Sequence, residues 1–269
     1  MTKTLSTEQL IQEVLSGSKY AHLYPGFVER ICIQELAKGR SQKETVKASR
    51  SKLHQAGAAY QEHGINYAQF KKQLAELGPN PALEDLKAFC RTAIMFHAST
   101  SERLPILNDF FSQTLQDIAP IRSVLDLACG LNPLAIPWMP LTSDASYTAG
   151  DIYLDLVEFL NTFFQSIQMR GEARPLDLAA EIPQQPVHLA LLLKTLPCME
   201  QQVKEYGIRL LDTIQAEHLL VSFPIQSLGG RSKGMVSHYD EYLRQITVGR
   251  NWRIKRFDFS CELAYLISK

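Results

Sequence analysis

Val124-Leu125-Asp126-Leu127-Ala128-Cys129-Gly130 is the stretch on which the fold turns. Together with Arg122-Ser123 it forms a short apolar run, the pattern of a strand buried on both faces, and it closes on small residues where the chain must turn tightly. Downstream the spacing changes. Leu156, Val157, Leu160, Phe163, Phe164 and Ile167 recur at i, i+3 and i+4, which predicts an amphipathic helix over about 153–170. Further runs at Ser146–Gly150, Ala173–Leu176, Val187–Leu193 and His218–Phe223 read as buried strands, with a second helix near 199–215. Alternating strands and helices imply a parallel sheet with right-handed crossovers. Ligands of such sheets sit beyond the carboxyl ends of the strands, so the chemistry is expected just after each run.

Working outward, residues 6 to about 118 follow a helical period throughout. Ser6 with Gln9 and Ser41 with Glu44 fit the capping box, and Asn66 with Gln69 is its asparagine version. Gly39, Gly64 and Gly78-Pro79-Asn80-Pro81 separate the segments. The expected helices are 6–16, 25–38, 41–59, 66–77, 82–98 and one near 100–118. At the other end, Trp252–Phe259 and Glu262–Ile267 are two β-rich runs around Ser260-Cys261, read as an antiparallel pair. The expectation is an all-helical N-terminal domain, 1–98, followed by an α/β domain, 99–269, with no flexible linker between them.

Composition narrows the function. The chain has 269 residues, 45% hydrophobic and 21% charged, which excludes disorder and allows a large core. Lys+Arg and Asp+Glu both number 28, so the chain as a whole is not a basic nucleic-acid binder. The distribution is uneven: residues 1–96 hold 13 basic against 9 acidic side chains, leaving 15 against 19 for the remainder. The stretch Lys38, Arg40, Lys43, Lys47, Arg50 and Lys52 has only Glu44 against it in sequence and falls largely on one expected helix. Five scattered cysteines without a CxxC pair indicate neither a disulfide framework nor a zinc site, and no histidine spacing suggests a metal. The polar N-terminus lacks a signal peptide's apolar core, and the apolar stretch around Leu189–Leu193 is far short of the ~20 residues that span a bilayer. A cytoplasmic protein without membrane or metal partners is expected.

The strand ends carry the chemical signal. An apolar run, an internal acidic residue and a small-x-Gly turn at 124–130 resemble the first motif of Rossmann-like S-adenosylmethionine (SAM) methyltransferases. The three glycines of a dinucleotide fold are missing, which disfavours NAD. Asp151 stands 21 residues beyond Gly130 at a strand end, and a carboxylate accepts two ribose hydroxyls at once. Asp177, before Leu178, is the expected acceptor for the adenine amino group. After the fourth run comes Leu192-Leu193-Lys194-Thr195-Leu196-Pro197 in place of the Asn/Asp-Pro-Pro-aromatic tetrad of enzymes that methylate base amines, so another nucleophile is implied.

Longer strings then become recognisable. His97-Ala-Ser-Thr-Ser-Glu-Arg103-Leu, Asp126-Leu-Ala-Cys-Gly-Leu-Asn-Pro-Leu134, Leu191-Leu-Leu-Lys194-Thr-Leu-Pro-Cys and Ser222-Phe-Pro-Ile-Gln-Ser-Leu-Gly-Gly-Arg231-Ser-Lys233-Gly-Met235 resemble the aminoglycoside-resistance 16S rRNA methyltransferases that act on N7 of guanine 1405. The Leu191–Cys198 wording is more similar to the self-protection enzymes of antibiotic-producing actinomycetes than to the mobile forms of pathogens. The resemblance implies SAM as cofactor, with Arg103 on its methionine carboxylate, Ala128 and Gly130 lining the turn, Asp151 and Ile152 at the ribose, and Asp177 with Leu178 at the adenine. It implies 16S rRNA in the assembled 30S subunit as partner.

Guanine N7 has a lone pair and no proton, so methyl transfer to it needs no general base, and positioning is the catalyst's task. The target base must leave its helix, which calls for a wedging surface. Lys194, Arg231 and Met235, the last two on the loop after the fifth strand, are expected to do that work. Lys19, Lys47, Arg50, Lys52, His54, Lys72 and Lys233 are expected at the RNA, where phosphate contacts position without reading sequence. Two alternatives stay open: a methyltransferase of another RNA or a small molecule, and a non-catalytic RNA-binding assembly factor.

Overall fold

The computed structural model describes residues 6–56, 65–226 and 234–269. Its centre is a seven-stranded sheet of order β3-β2-β1-β4-β5-β7-β6. The strands are β1 (Ile121–Leu127), β2 (Leu141–Asp151), β3 (Arg170–Pro175), β4 (Val187–Leu193), β5 (Ala216–Pro224), β6 (Arg253–Asp258) and β7 (Glu262–Ser268). The first five are parallel; β7 runs antiparallel between β5 and β6. The chain lays β1, β2 and β3 toward one edge and returns to place β4 against β1, so the switch point falls between β1 and β4. All seven residues of β4 are buried, as expected of a central parallel strand that is apolar but for His188.

Alternation along the strands splits the core in two. Val124, Leu189 and Leu191 face one side, with Phe159, Phe163 and Phe164 of helix α8 (Leu154–Ser166). Leu125, Leu127, Ala190 and Leu192 face the other, with Leu210 and Leu211 of α10 (Tyr206–Thr213) and Leu243 and Ile246 of α11 (Met235–Thr247).

The helical segment comprises α1 (Thr7–Leu15), α2 (Pro25–Leu36), α3 (Gln42–Ala56), α4 (Tyr67–Leu77) and α5 (Leu83–Ile94). The capping boxes expected at Ser6 and Ser41 both form, and Asn66 caps α4. The buried residues of these helices, from Leu10 to Ile94, belong to the same core as the first face of the sheet. The segment is therefore packed on the α/β part. It is also joined to it by backbone: Leu23 and Tyr153 form an antiparallel bridge, with Tyr24 N–H donating to the Ile152 carbonyl and Leu154 N–H to that of His22, each at 2.8 Å.

Several boundaries differ from the sequence reading for physical reasons. The helix expected at 100–118 is broken around Pro105 into α6 (Ala98–Ser101), a 3₁₀ turn, and α7 (Leu107–Leu115) with a second 3₁₀ turn. That expected at 199–215 divides into α9 (Thr195–Glu200) and α10, separated where Glu205 adopts φ 59°. β2 begins five residues earlier than expected, and the loop proposed after β5 contains helix α11, with Met235 as its first residue. The end of the helix read as 41–59 lies partly outside the described residues.

Candidate cofactor and RNA site

A cleft opens at the carboxyl ends of β1 to β4, where parallel α/β sheets bind their ligands. Ala128, Gly130, Asp151, Ile152, Asp177, Leu178 and Lys194 all line it, together with His97, Phe27, Leu176 and Met199. The turn after β1 is tight: Ala128 has φ 52° and Gly130 φ 51°. A Cβ on Gly130 would stand 2.6 Å from Cε1 of His97, so only glycine fits between that ring and the cleft.

Asp151 is placed by backbone. Its Oδ2 accepts from Gly130 N–H at 2.9 Å, and Oδ1 accepts from Ile152 N–H at 2.7 Å and Tyr153 N–H at 3.3 Å. Burial still raises its pKa above the usual carboxylate value, against the pull of those three donors. Three of roughly four acceptor sites are filled, and the remaining capacity faces the cleft. Asp177 is likewise buried and faces the cleft.

Lys194 opens α9 with φ 60°, a left-handed conformation costing about 1–2 kcal/mol for a non-glycine residue. It is held there because its N–H donates to the Ser222 carbonyl at 3.0 Å while the Thr195 hydroxyl donates to that of Leu127 at 3.0 Å. Its ammonium reaches Ser99 O at 3.0 Å, Glu102 at 2.5 Å and Glu262 at 3.6 Å.

Arg103, expected from the resemblance at the methionine carboxylate, is paired with a carboxylate of the chain itself. It is buried and does not line the cleft; its Nε and NH2 donate to the two oxygens of Glu262 at 3.0 and 2.7 Å, and NH1 donates to Asn132 at 2.9 Å. The fork that matches a carboxylate bidentately has found one within the chain. Asn132 passes the network on to Asp126, which also accepts from the Tyr147 hydroxyl at 2.8 Å; burial pushes Asp126 up to about 7. His97 faces the cleft and is held down to about 4 by burial and the charges of Lys194 and Arg103.

Sequence reasoning missed Glu262, Glu102 and Asn132. A charge at the head of the apolar run Glu262–Ile267 was the available signal for the first; Glu102 carried none.

The basic helix is also more engaged than its sequence suggested. Glu35 of α2, fully buried, pairs with Lys38 (2.6 Å), Arg40 and Lys52 (3.9 Å), so Glu44 is not the sole counter-charge. Arg50 donates to the Glu13 carbonyl at the end of α1. Lys43, Lys47 and His54 are exposed and, at i, i+4 and i+11, share the α3 face opposite buried Val46, Ser49 and Leu53. Lys19 and Lys72 are exposed on the turn after α1 and on α4. Met235 is half-buried, and Arg231 and Lys233 lie outside the described residues. At the opposite end of the sheet His188, Glu217 and His218 come within metal-ligating reach of one another. Arg122 occupies that trio: its N–H donates to His188 Nδ1 at 3.2 Å and its guanidinium to Glu217 at 2.9 Å.

A β3-β2-β1-β4-β5-β7-β6 sheet with carboxylates at successive strand ends around a cleft beside its switch point is the arrangement of a class I SAM-dependent methyltransferase. The residues fit that cofactor: two carboxylates as hydroxyl and amine acceptors, and apolar walls from Leu176, Leu178, Ile152 and Met199 for a purine. Comparison then gives the family. Residues 16–266 match the family described as ribosomal RNA methyltransferase (FmrO), and the chain belongs to it. A 16S rRNA (guanine(1405)-N(7))-methyltransferase of Micromonospora echinospora is 33% identical over 97% of this chain and 96% of its own length. One of Serratia marcescens is 31% identical over 98% and 99%. The crystal structure of the 16S rRNA methyltransferase RmtF in complex with S-adenosyl-L-homocysteine superposes with a TM-score of 0.81 at 32% identity, covering 100% of this chain and 99% of that one. For the 16S rRNA methylase RmtB the values are 0.79, 28%, 99% and 100%.

Proposed function

We propose that this enzyme methylates N7 of guanine 1405 in the 16S rRNA of the assembled 30S subunit and thereby confers aminoglycoside resistance. The observation that carries the reading is end-to-end similarity to relatives of that name, helical segment included, at 33% identity over 97% of the chain. A SAM-binding core alone would serve many substrates; the helices are what the relatives have in common beyond it.

When bound, SAM supplies an electrophilic methyl group. The protein's own work is positioning, because N7 presents a lone pair without a proton to remove. Asp151 accepts from the ribose and Asp177 from the adenine, while Ala128 and Gly130 bring the backbone close at the turn. Lys194, which lines the cleft and is held by Ser99 and Glu102, would meet the incoming base together with Met235 and Arg231, the latter outside the described residues. The imidazole of His97 packs against Gly130 and, held down to about 4, would add no charge to the cleft that takes a sulfonium. Arg103 contributes by bracing Glu262, which in turn lies near Lys194. Lys19, Lys43, Lys47, Lys52, His54 and Lys72 meet rRNA phosphates. No helix among the described residues is long and apolar enough to cross a membrane, and a ribosomal substrate places the work in the cytoplasm.

Expression in a susceptible bacterium tests the reading. Strong resistance to gentamicin- and kanamycin-type drugs is expected, with neomycin spared and Asp151→Asn abolishing the effect. Equal resistance to both drug groups points to another base.

A further inference from the structure

Asp177 follows β3, yet the side chain that fixes it comes from the helical segment. Arg30 of α2 donates from Nε to Oδ2 at 2.5 Å and from NH2 to Oδ1 at 2.9 Å, a two-point fork across 147 residues of sequence. Ala179 N–H adds a bond to Oδ1 at 3.1 Å. The same Arg30 NH2 reaches Gln202 Oε1 at 3.5 Å, and its guanidinium stands 5.4 Å from the ring centre of Phe27. Both Gln202 and Phe27 line the cofactor cleft. The pair is little exposed, 19% at Arg30 and 6% at Asp177, so the fork holds the carboxylate plane in a fixed orientation.

That orientation has a chemical consequence. An ionised carboxylate offers roughly four acceptor positions, three of which are filled here by Arg30 and Ala179. The remaining one is directed by the fork, and Asp177 lines the cleft where a purine amino group would meet it. Were the fork absent, the carboxyl would turn about its last side-chain bond and its free acceptor would lose a defined direction.

We propose that Arg30 is a positioning residue for cofactor recognition: from the helical segment it locks Asp177 so that one oxygen reads the exocyclic amino group of the adenine. The base is then recognised jointly by both parts of the chain. The Leu23–Tyr153 bridge makes the matching contact on the Asp151 side, so the helical segment touches both acidic strand ends. The proposal rests on the assignment of SAM to the cleft.

The test compares S-adenosylhomocysteine with S-inosylhomocysteine, in which an oxo group replaces the amino donor, by titration calorimetry on the full chain. The readout is the ratio of the two affinities on one protein sample, which is insensitive to any fraction that fails to fold. The wild type is expected to prefer the adenine compound by about tenfold or more, as a site with a dedicated acceptor should. Arg30→Gln should lose most of that preference and Arg30→Lys should retain part of it. Arg30→Gln combined with Asp177→Asn should discriminate no worse than Asp177→Asn alone, since coupled residues are not additive. An undiminished preference in Arg30→Gln, or independent losses in the double variant, overturns the proposal. Failure of the wild type to bind either compound would contradict the SAM assignment itself and remove the proposal with it.

Discussion

Glu262 is completely buried at the start of β7 and faces two cations, Arg103 in a bidentate pair and Lys194 at 3.6 Å. Neutralising it leaves the buried Arg103 without its anion, while Lys194 keeps Glu102, and breaking a buried pair from one side costs about 3–5 kcal/mol. Glu262→Gln should therefore lower stability by that order in urea denaturation, far more than removal of any exposed partner such as Glu84. At Asp151 the loss falls on binding instead: Asp151→Asn should weaken SAM by about 1–3 kcal/mol in calorimetry, because ribose hydroxyls lose a charged acceptor. Wild-type affinity in that variant would remove Asp151 from the site. The positions of Gly130, Asp151 and Asp177 were legible in sequence because strand ends are marked locally, by an apolar run followed by a small or acidic residue. Their partners were not. Arg103 and Glu262 are 159 residues apart, Arg30 and Asp177 147, and nothing in local sequence ties such pairs together.

At the scale of elements, α3 presents Lys43, Lys47 and His54 on its exposed face while Lys52 and Arg50 are partly spent on Glu35 and Glu13. The free charges are the ones that count for counterion release. Lys43→Ala with Lys47→Ala should weaken 30S binding and flatten its log–log salt dependence by about 2, at roughly one phosphate per lysine, leaving SAM affinity intact. Unchanged binding at low salt would make this face merely solvated. The central strands β1, β4, β5 and β7 could be read from their apolar runs because they are buried, whereas the exposed edge strands β3 and β6 carry charged residues and were marked, β6 by its β-rich composition and β3 by its position. α11 could not: its buried Leu243, Ile246 and Thr247 sit at its far end, and the Gly-rich approach through Gly234 reads as loop. Pro105 likewise divides a helical period that sequence alone carried straight through.

For the molecule as a whole, acid stability should report the buried site. His97 is held near 4 in the native state against 6.5 when free, so the unfolded chain binds the extra proton first. Its contribution is present above pH 6.5 and is lost as pH falls toward 4, amounting to about 3 kcal/mol. Asp126, raised to about 7, acts in the opposite sense: the native carboxyl keeps its proton, and stability is lost as pH rises from 3.8 toward 7. The His97 share is therefore read as a difference. The gap in unfolding free energy between His97→Gln and wild type should move in favour of the variant by about 3 kcal/mol from pH 6.5 to 4. A constant gap would show that the native ring takes up a proton as freely as the unfolded one.

The chain belongs to the ribosomal RNA methyltransferase (FmrO) family, its strand-end cleft fits SAM and its helices pack on the same core, so the methyl group is expected on N7 of guanine 1405. The direct measurement is to incubate 30S subunits with labelled SAM and the enzyme, then reduce the RNA and cleave it at N7-methylguanine. A single strand break at guanine 1405 of the 16S rRNA, absent with Asp151→Asn, is the predicted result. Label incorporated elsewhere in the RNA, or into free nucleosides but not into 30S subunits, would contradict it.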